Sequence, residues 1–114
     1  MTKTLKPETI AVAAGRMSAE HFGTVNTPVY RTSTILHDSY ASLKAEGESR
    51  YTYGRCGTPT TESFEQAVAA LEGAARTVSV PSGLNAITTA ILSVVSAGDH
   101  ILVTDIVSGP TRRF

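Results

Sequence analysis

Residues 75–95 constrain the fold more than any other stretch. Thr77, Val78 and Val80 are β-branched and lie in a run too short for a helix, which predicts a buried strand closed by Pro81. Ser82 is placed to cap a helix, its hydroxyl taking one of the first-turn N–H groups that lack a partner. Ile87, Ala90, Ile91, Val94 and Val95 then repeat at helical spacing and predict a core-facing stripe. Gly98 and Asp99 are expected to end that helix, and residues 100–104 to form a second strand. The expectation is a βαβ unit, because parallel strands need such a crossover. Gly83 has no Cβ, so a ligand can approach its backbone, and the free N–H groups of a helix start favour an anion. Strand–Ser-Gly–helix turns also serve close packing alone, and the residues by themselves leave both uses open.

A second informative stretch runs Arg50-Tyr-Thr-Tyr-Gly-Arg-Cys-Gly-Thr-Pro-Thr60. Tyr51 and Tyr53 alternate, and Gly54 and Gly57 flank Arg55 and Cys56 in a predicted loop. Thr58 and Pro59 suit the cap and first residue of a helix carrying Phe64, Val68 and Leu71 and stopping near Gly73. The loop is either a solvated turn or a tyrosine hydroxyl and forked guanidinium presented to a phosphate. Spacing alone favours the solvated turn.

Before residue 50 the pattern is weak. Residues 7–14 suggest a short helix stopped by Gly15. Residues 21–34 show no sustained alternation and read as an extended arm, expected to pack on another subunit. Asp38 is expected to cap a short helix holding Tyr40 and Leu43, with Gly47 as its stop. At the other end, residues 105–114 leave a strand and turn at Gly109-Pro110. Two strands and two uncovered helical stripes need a larger sheet, so the chain is expected to be the front part of a longer protein.

Composition excludes several classes. Ten basic residues balance ten acidic ones in 114, so no strong field recruits nucleic acid or an anionic membrane. No apolar run approaches a bilayer span, and the first residues lack a signal-peptide core. The single cysteine, Cys56, fits a reducing, cytoplasmic setting and carries no mark of a nucleophile. His21, His37 and His100 lack metal-ligand spacing, and the serine-hydrolase elbow, dinucleotide fingerprint and P-loop patterns are absent.

Taken together, Tyr51-Thr-Tyr-Gly-Arg-Cys-Gly-Thr-Pro-Thr60, Leu71-Glu-Gly73, Ser82-Gly-Leu84, Gly98-Asp-His-Ile101 and Gly109-Pro-Thr-Arg-Arg-Phe114 appear in the order and spacing of one family. The chain resembles the N-terminal portion of the pyridoxal-phosphate enzymes of cysteine and methionine metabolism, most of all their cystathionine β-lyase branch. The resemblance implies an α/β fold, the N-terminal part of the type I pyridoxal-phosphate-dependent transferase fold: an arm over residues 1–57 and the start of the mostly parallel central domain over 58–114. It implies pyridoxal 5'-phosphate as cofactor, a small amino-acid substrate, and a homotetramer at full length. Tyr53 and Arg55 would reach the cofactor phosphate of a neighbouring subunit, while Gly83 and Leu84 would offer backbone N–H groups to that of their own.

The implied reaction is β-elimination of cystathionine to homocysteine, pyruvate and ammonia. A cystathionine γ-synthase or γ-lyase fragment is the nearest alternative. Two departures weigh on this expectation. Ser108 stands at the family's ring-stacking tyrosine and has no ring to stack. The lysines are Lys3, Lys6 and Lys44, and none matches the place of the family's Schiff-base lysine. The 114 residues alone are therefore expected to be inactive, which keeps open a non-catalytic remnant or a fragment docking on a full-length homologue.

Overall fold

The computed structural model describes residues 5–45 and 49–114. Contacts divide the chain into two compact units, Met1–Thr77 and Val78–Phe114.

The first unit is built on two helices. α1, Pro7–Ala13, begins on a proline whose missing N–H would have had no helical partner. Gly15 follows at φ +74°, so the predicted stop lies where the chain needs the left-handed region. A Cβ on Gly15 would run into the Ser63 carbonyl oxygen and lie 3.3 Å from the Ala67 Cβ. This close approach lets α1 pack on α3, Pro59–Glu72. α3 thus turns its small residues to α1 and leaves Phe64 and Leu71, two of the three residues of the predicted apolar stripe, exposed. Its ends are those the sequence specifies. Thr58 and Thr61 form a reciprocal capping box, and Gly73 closes the helix at φ +63°.

Between the two helices a single 3-10 turn, Ser18–His21, buries His21. The arm then lies along α3 of its own chain: Thr27 Oγ1 donates to Ser63 Oγ at 3.0 Å, Thr60 Oγ1 to the Pro28 carbonyl at 2.8 Å, and the Tyr30 N–H to Thr60 Oγ1 at 2.8 Å. α2, Tyr40–Lys44, is capped by Ser39 rather than Asp38. Ser39 Oγ accepts from the Ser42 N–H at 3.1 Å, the reach that a cap one residue nearer the helix allows. The expected stop at Gly47 lies outside the described residues.

The second unit holds α4, Gly83–Leu92, and α5, Gly109–Arg113. Ser82 caps α4 as expected, its Oγ accepting from the Asn85 N–H at 3.1 Å. The helix ends at Leu92, earlier than the stripe to Val95 and the Gly98 stop predicted. Ser93 Oγ bonds back to the Ala90 carbonyl at 2.7 Å, and the Val94 N–H reaches only three residues back to Ile91. These bonds compete with helical continuation. α5 replaces the predicted turn at Gly109-Pro110, with Pro110 in its first turn.

The predicted strands at 77–80 and 100–104 are not formed among the described residues. The isolated bridge there joins Thr34 and Tyr53. β-branched residues make a strand only where neighbouring backbones exchange ladder bonds, and no such ladder joins 78–80 to 100–104. No described hydrophobic residue is fully buried, so the α4 stripe has no core to face.

Candidate functional site

The site candidates fall on two local frames, one in each unit. In the first, the backbone of residues 50–57 turns sharply. Tyr53 bridges Thr34, and the Gly54 N–H donates to the Ser33 carbonyl at 2.7 Å. A Cβ on Gly54 would strike the Thr32 carbonyl oxygen, which is why this position carries glycine. The Cys56 and Gly57 N–H groups both donate to the Tyr53 carbonyl, at 2.9 and 3.2 Å. This turn points Arg55 outward.

Arg55 and Tyr53 then meet directly. Arg55 Nε donates to the Tyr53 hydroxyl at 2.9 Å, and the guanidinium carbon lies 5.0 Å from the ring centroid. Cation and ring quadrupole attract, which helps hold the guanidinium over the ring. Ser33 Oγ also reaches the Tyr53 hydroxyl, at 3.4 Å. The two terminal guanidinium nitrogens of Arg55 have no partner among the described residues. A forked cation beside a hydroxyl suits an anion with several acceptor oxygens.

The second frame is the start of α4. Ser82 Oγ takes the Asn85 N–H and the Ser82 carbonyl takes that of Ala86. The Gly83 and Leu84 N–H groups precede the first helical bond and stay open. A Cβ at Gly83 would meet nothing within 4 Å, so the approach to these donors is unobstructed.

Ser108 caps α5 without accepting from a backbone N–H of its first turn; its hydroxyl pairs instead with Thr111 Oγ1 at 2.8 Å. Cys56 is exposed and free. No group of three or more metal-ligating side chains occurs among the described residues. His21 is instead structural, with Nδ1 3.2 Å from the Tyr30 hydroxyl and Nε2 buried without a partner. Among the described residues no helix is long and apolar enough to cross a membrane.

A charged cluster lies immediately before the Tyr53–Arg55 pair, and sequence reasoning missed it. Arg50 straddles Glu62 with Nε 3.0 Å from Oε2 and Nη2 2.8 Å from Oε1, and its Nη1 donates to Glu20 Oε2 at 2.9 Å. Nη2 also approaches Met17 Sδ at 3.0 Å. The Tyr51 hydroxyl and Gln66 Nε2 donate to the same Glu62 carboxylate. Burial first, then the bond to Glu62, pushes the Tyr51 hydroxyl up to about 12. Arg50, then Tyr51, holds the Glu62 carboxyl below the usual carboxylate range. The cluster borders a groove of about 410 Å³ that also receives Glu65 and Arg76. Its partners sit 12 and 30 residues from Arg50, beyond any spacing rule.

Comparison with known proteins places the chain in a family. Residues 8–114 match the profile of the Cys/Met metabolism PLP-dependent enzymes. A Rhizobium johnstonii protein with a provisional cystathionine β-lyase name is 47% identical over 83% of this chain and 24% of its own. An L-alanine/L-glutamate racemase of Wolbachia pipientis is 39% identical over 96% of this chain and 30% of its own. Other relatives carry cystathionine β-lyase and L-methionine γ-lyase names. Among solved structures, metB from Corynebacterium glutamicum superposes with a TM-score of 0.84 at 33% identity, covering 96% of this chain and 28% of that one. The chain thus spans less than a third of the length of these relatives. That likeness supports the N-terminal part of the pyridoxal-phosphate transferase fold, although the described residues hold almost no strand pairing. The chain belongs to the family of pyridoxal-phosphate-dependent enzymes of cysteine and methionine metabolism.

Proposed function

We propose that this chain supplies phosphate-holding groups for a pyridoxal-phosphate-dependent carbon–sulfur lyase, with β-elimination of cystathionine to homocysteine, pyruvate and ammonia as the reaction. The observation that carries the reading is the Tyr53–Arg55 pair, which leaves two guanidinium nitrogens free beside a hydroxyl. The residues fit a phosphate: the fork of Arg55 matches two of its oxygens, and Gly83 leaves its helix-start donors open to approach. When bound, the cofactor supplies a ring that stores the electron pair left by a departing α-proton.

This chain's residues bind and orient. Tyr53 and Arg55 serve the phosphate of a neighbouring subunit, and Gly83 and Leu84 that of their own. The arm, residues 1–57, forms subunit contacts, and residues 58–114 open the central domain of a cytoplasmic homotetramer. No proton transfer is assigned within the 114 residues. Ser108 already pairs with Thr111, and neither Lys6 nor Lys44 is proposed to hold the cofactor aldehyde. The chain by itself is inactive in this reading. A γ-elimination or γ-replacement enzyme is the second reading, favoured by the methionine γ-lyase names among its relatives. A remnant without activity is the third, favoured by Ser108 where the family pattern has an aromatic ring.

The test is titration of pyridoxal 5'-phosphate and of inorganic phosphate into the chain, with Arg55→Ala as control. Saturable binding of both, weakened at least tenfold by Arg55→Ala, supports the reading. Equal binding by both proteins removes Arg55 from the site.

A further inference from the structure

Arg50 and Arg55 are five residues apart on one short segment, yet they are in opposite electrostatic states. Arg50 spends its donors on two carboxylates: Glu62 takes Nε and Nη2, and Glu20 takes Nη1. Arg55 spends only Nε, on a neutral hydroxyl. Glu62 is the hub of this difference, because it also accepts from Tyr51 and Gln66. It stands in the first turn of α3, whose start is fixed by the Thr58–Thr61 capping box and by the partial positive charge of the helix end. The other side of the segment is held by the Gly54 N–H on the Ser33 carbonyl. The segment is therefore pinned at one end by a bidentate ion pair to a helix and at the other by a backbone bond to the arm.

We propose that Glu62 is a positioning residue that pins residues 50–55 to α3 and withholds the Arg50 guanidinium, so that Arg55 alone on this segment faces an anion. The proposal rests on the phosphate reading of Arg55, but its mechanical half stands apart from it. Bidentate arginine–carboxylate pairs fix geometry as well as adding attraction. With its side chain about a quarter exposed (28%), Glu62 is better sheltered from screening than Glu20, which is 54% exposed. Removing the Glu62 charge frees Nε and Nη2 of Arg50 and lets a second cation compete for the same phosphate.

The test uses the full 114-residue chain and its Glu62→Gln variant, with inorganic phosphate as the probe. Two readings are taken: amide exchange at Gly54, and arginine side-chain NMR resonances during the phosphate titration. The variant should exchange the Gly54 amide about tenfold faster, as a local opening would. In the native chain only the Arg55 guanidinium signals should move with phosphate, whereas in the variant those of Arg50 should move as well. The second signature would not follow from general loosening. Unchanged Gly54 exchange, or an Arg50 that responds to phosphate equally in both proteins, overturns the proposal. If phosphate moves no arginine in either protein while Gly54 exchange rises, the phosphate reading and the withholding of Arg50 fall and the pinning stands. Should Glu62→Gln lose its helical circular dichroism, Arg50→Gln breaks the same pair from the other side and is scored by Gly54 exchange alone.

Discussion

Arg55 Nε sits 2.9 Å from the Tyr53 hydroxyl, with its guanidinium carbon 5.0 Å from the same ring's centroid. One tyrosine thus orients the arginine twice, by its hydroxyl and by its face. Tyr53→Phe keeps the ring and removes the hydroxyl, so it should weaken phosphate binding several-fold. Tyr53→Ala removes both and should approach the loss seen with Arg55→Ala. Calorimetric titration of inorganic phosphate into the three variants orders them.

Gly83 separates binding from stability. An added Cβ meets nothing within 4 Å, so Gly83→Ala should leave the melting profile unchanged or slightly raised. The same methyl shadows the open N–H groups of the helix start, and affinity for pyridoxal 5'-phosphate should fall several-fold. Unaltered affinity would show that the cofactor does not approach this backbone.

Thr58→Ala should cost about 1 kcal/mol, the ordinary loss for a helix cap. The substitution removes the acceptor of one capping-box bond, from the Thr61 N–H to Thr58 Oγ1 at 3.3 Å, and leaves the other, from the Thr58 N–H to Thr61 Oγ1 at 2.9 Å. Urea denaturation followed by helical circular dichroism measures the shift. Thr58→Ser, which keeps the hydroxyl, should recover most of it.

Tyr51 and Glu62 give opposite pH limits to the same cluster. The folded value of Tyr51 is raised to about 12, by burial and then by Glu62. Its contribution is therefore fully present below about 10 and lost as pH rises through about 12. Glu62 is depressed, by Arg50 and then Tyr51, so its contribution is present above about 4.3 and lost as pH falls through its lowered value. Tyrosinate absorbance should show one hydroxyl titrating late. Glu62→Gln should bring it only part of the way back, since burial is the larger cause.

Leu84, Ile87, Leu92, Val94, Ile101, Leu102 and Val103 are all exposed in the second unit. Apolar surface on this scale binds hydrophobic dyes and favours association. The chain should bind ANS strongly, and its second unit should melt without a sharp transition. A cooperative melt of a monomer with weak dye binding would contradict that picture.

What the sequence determined by itself is local. Thr58 with Pro59, Gly73, Ser82 and Gly15 mark helix ends because a cap bonds within three or four residues of itself, and those residues are adjacent in the chain. The Tyr53–Arg55 pair belongs to the same class, being two residues apart on one turn. Tertiary structure decided whatever depends on distant partners. Thr77, Val78 and Val80 carry strand propensity, yet a strand exists only where another backbone pairs with it, and propensity does not supply that neighbour. The stripe of α4 predicted a buried face, yet burial requires an opposing surface. Nothing in the residues next to Arg50 announces its partners, because folding brings Glu62 and Glu20 to it from 12 and 30 residues away. Caps and turns are written in neighbouring side chains, whereas ladders, cores and ion-pair hubs arise only when the chain returns to itself.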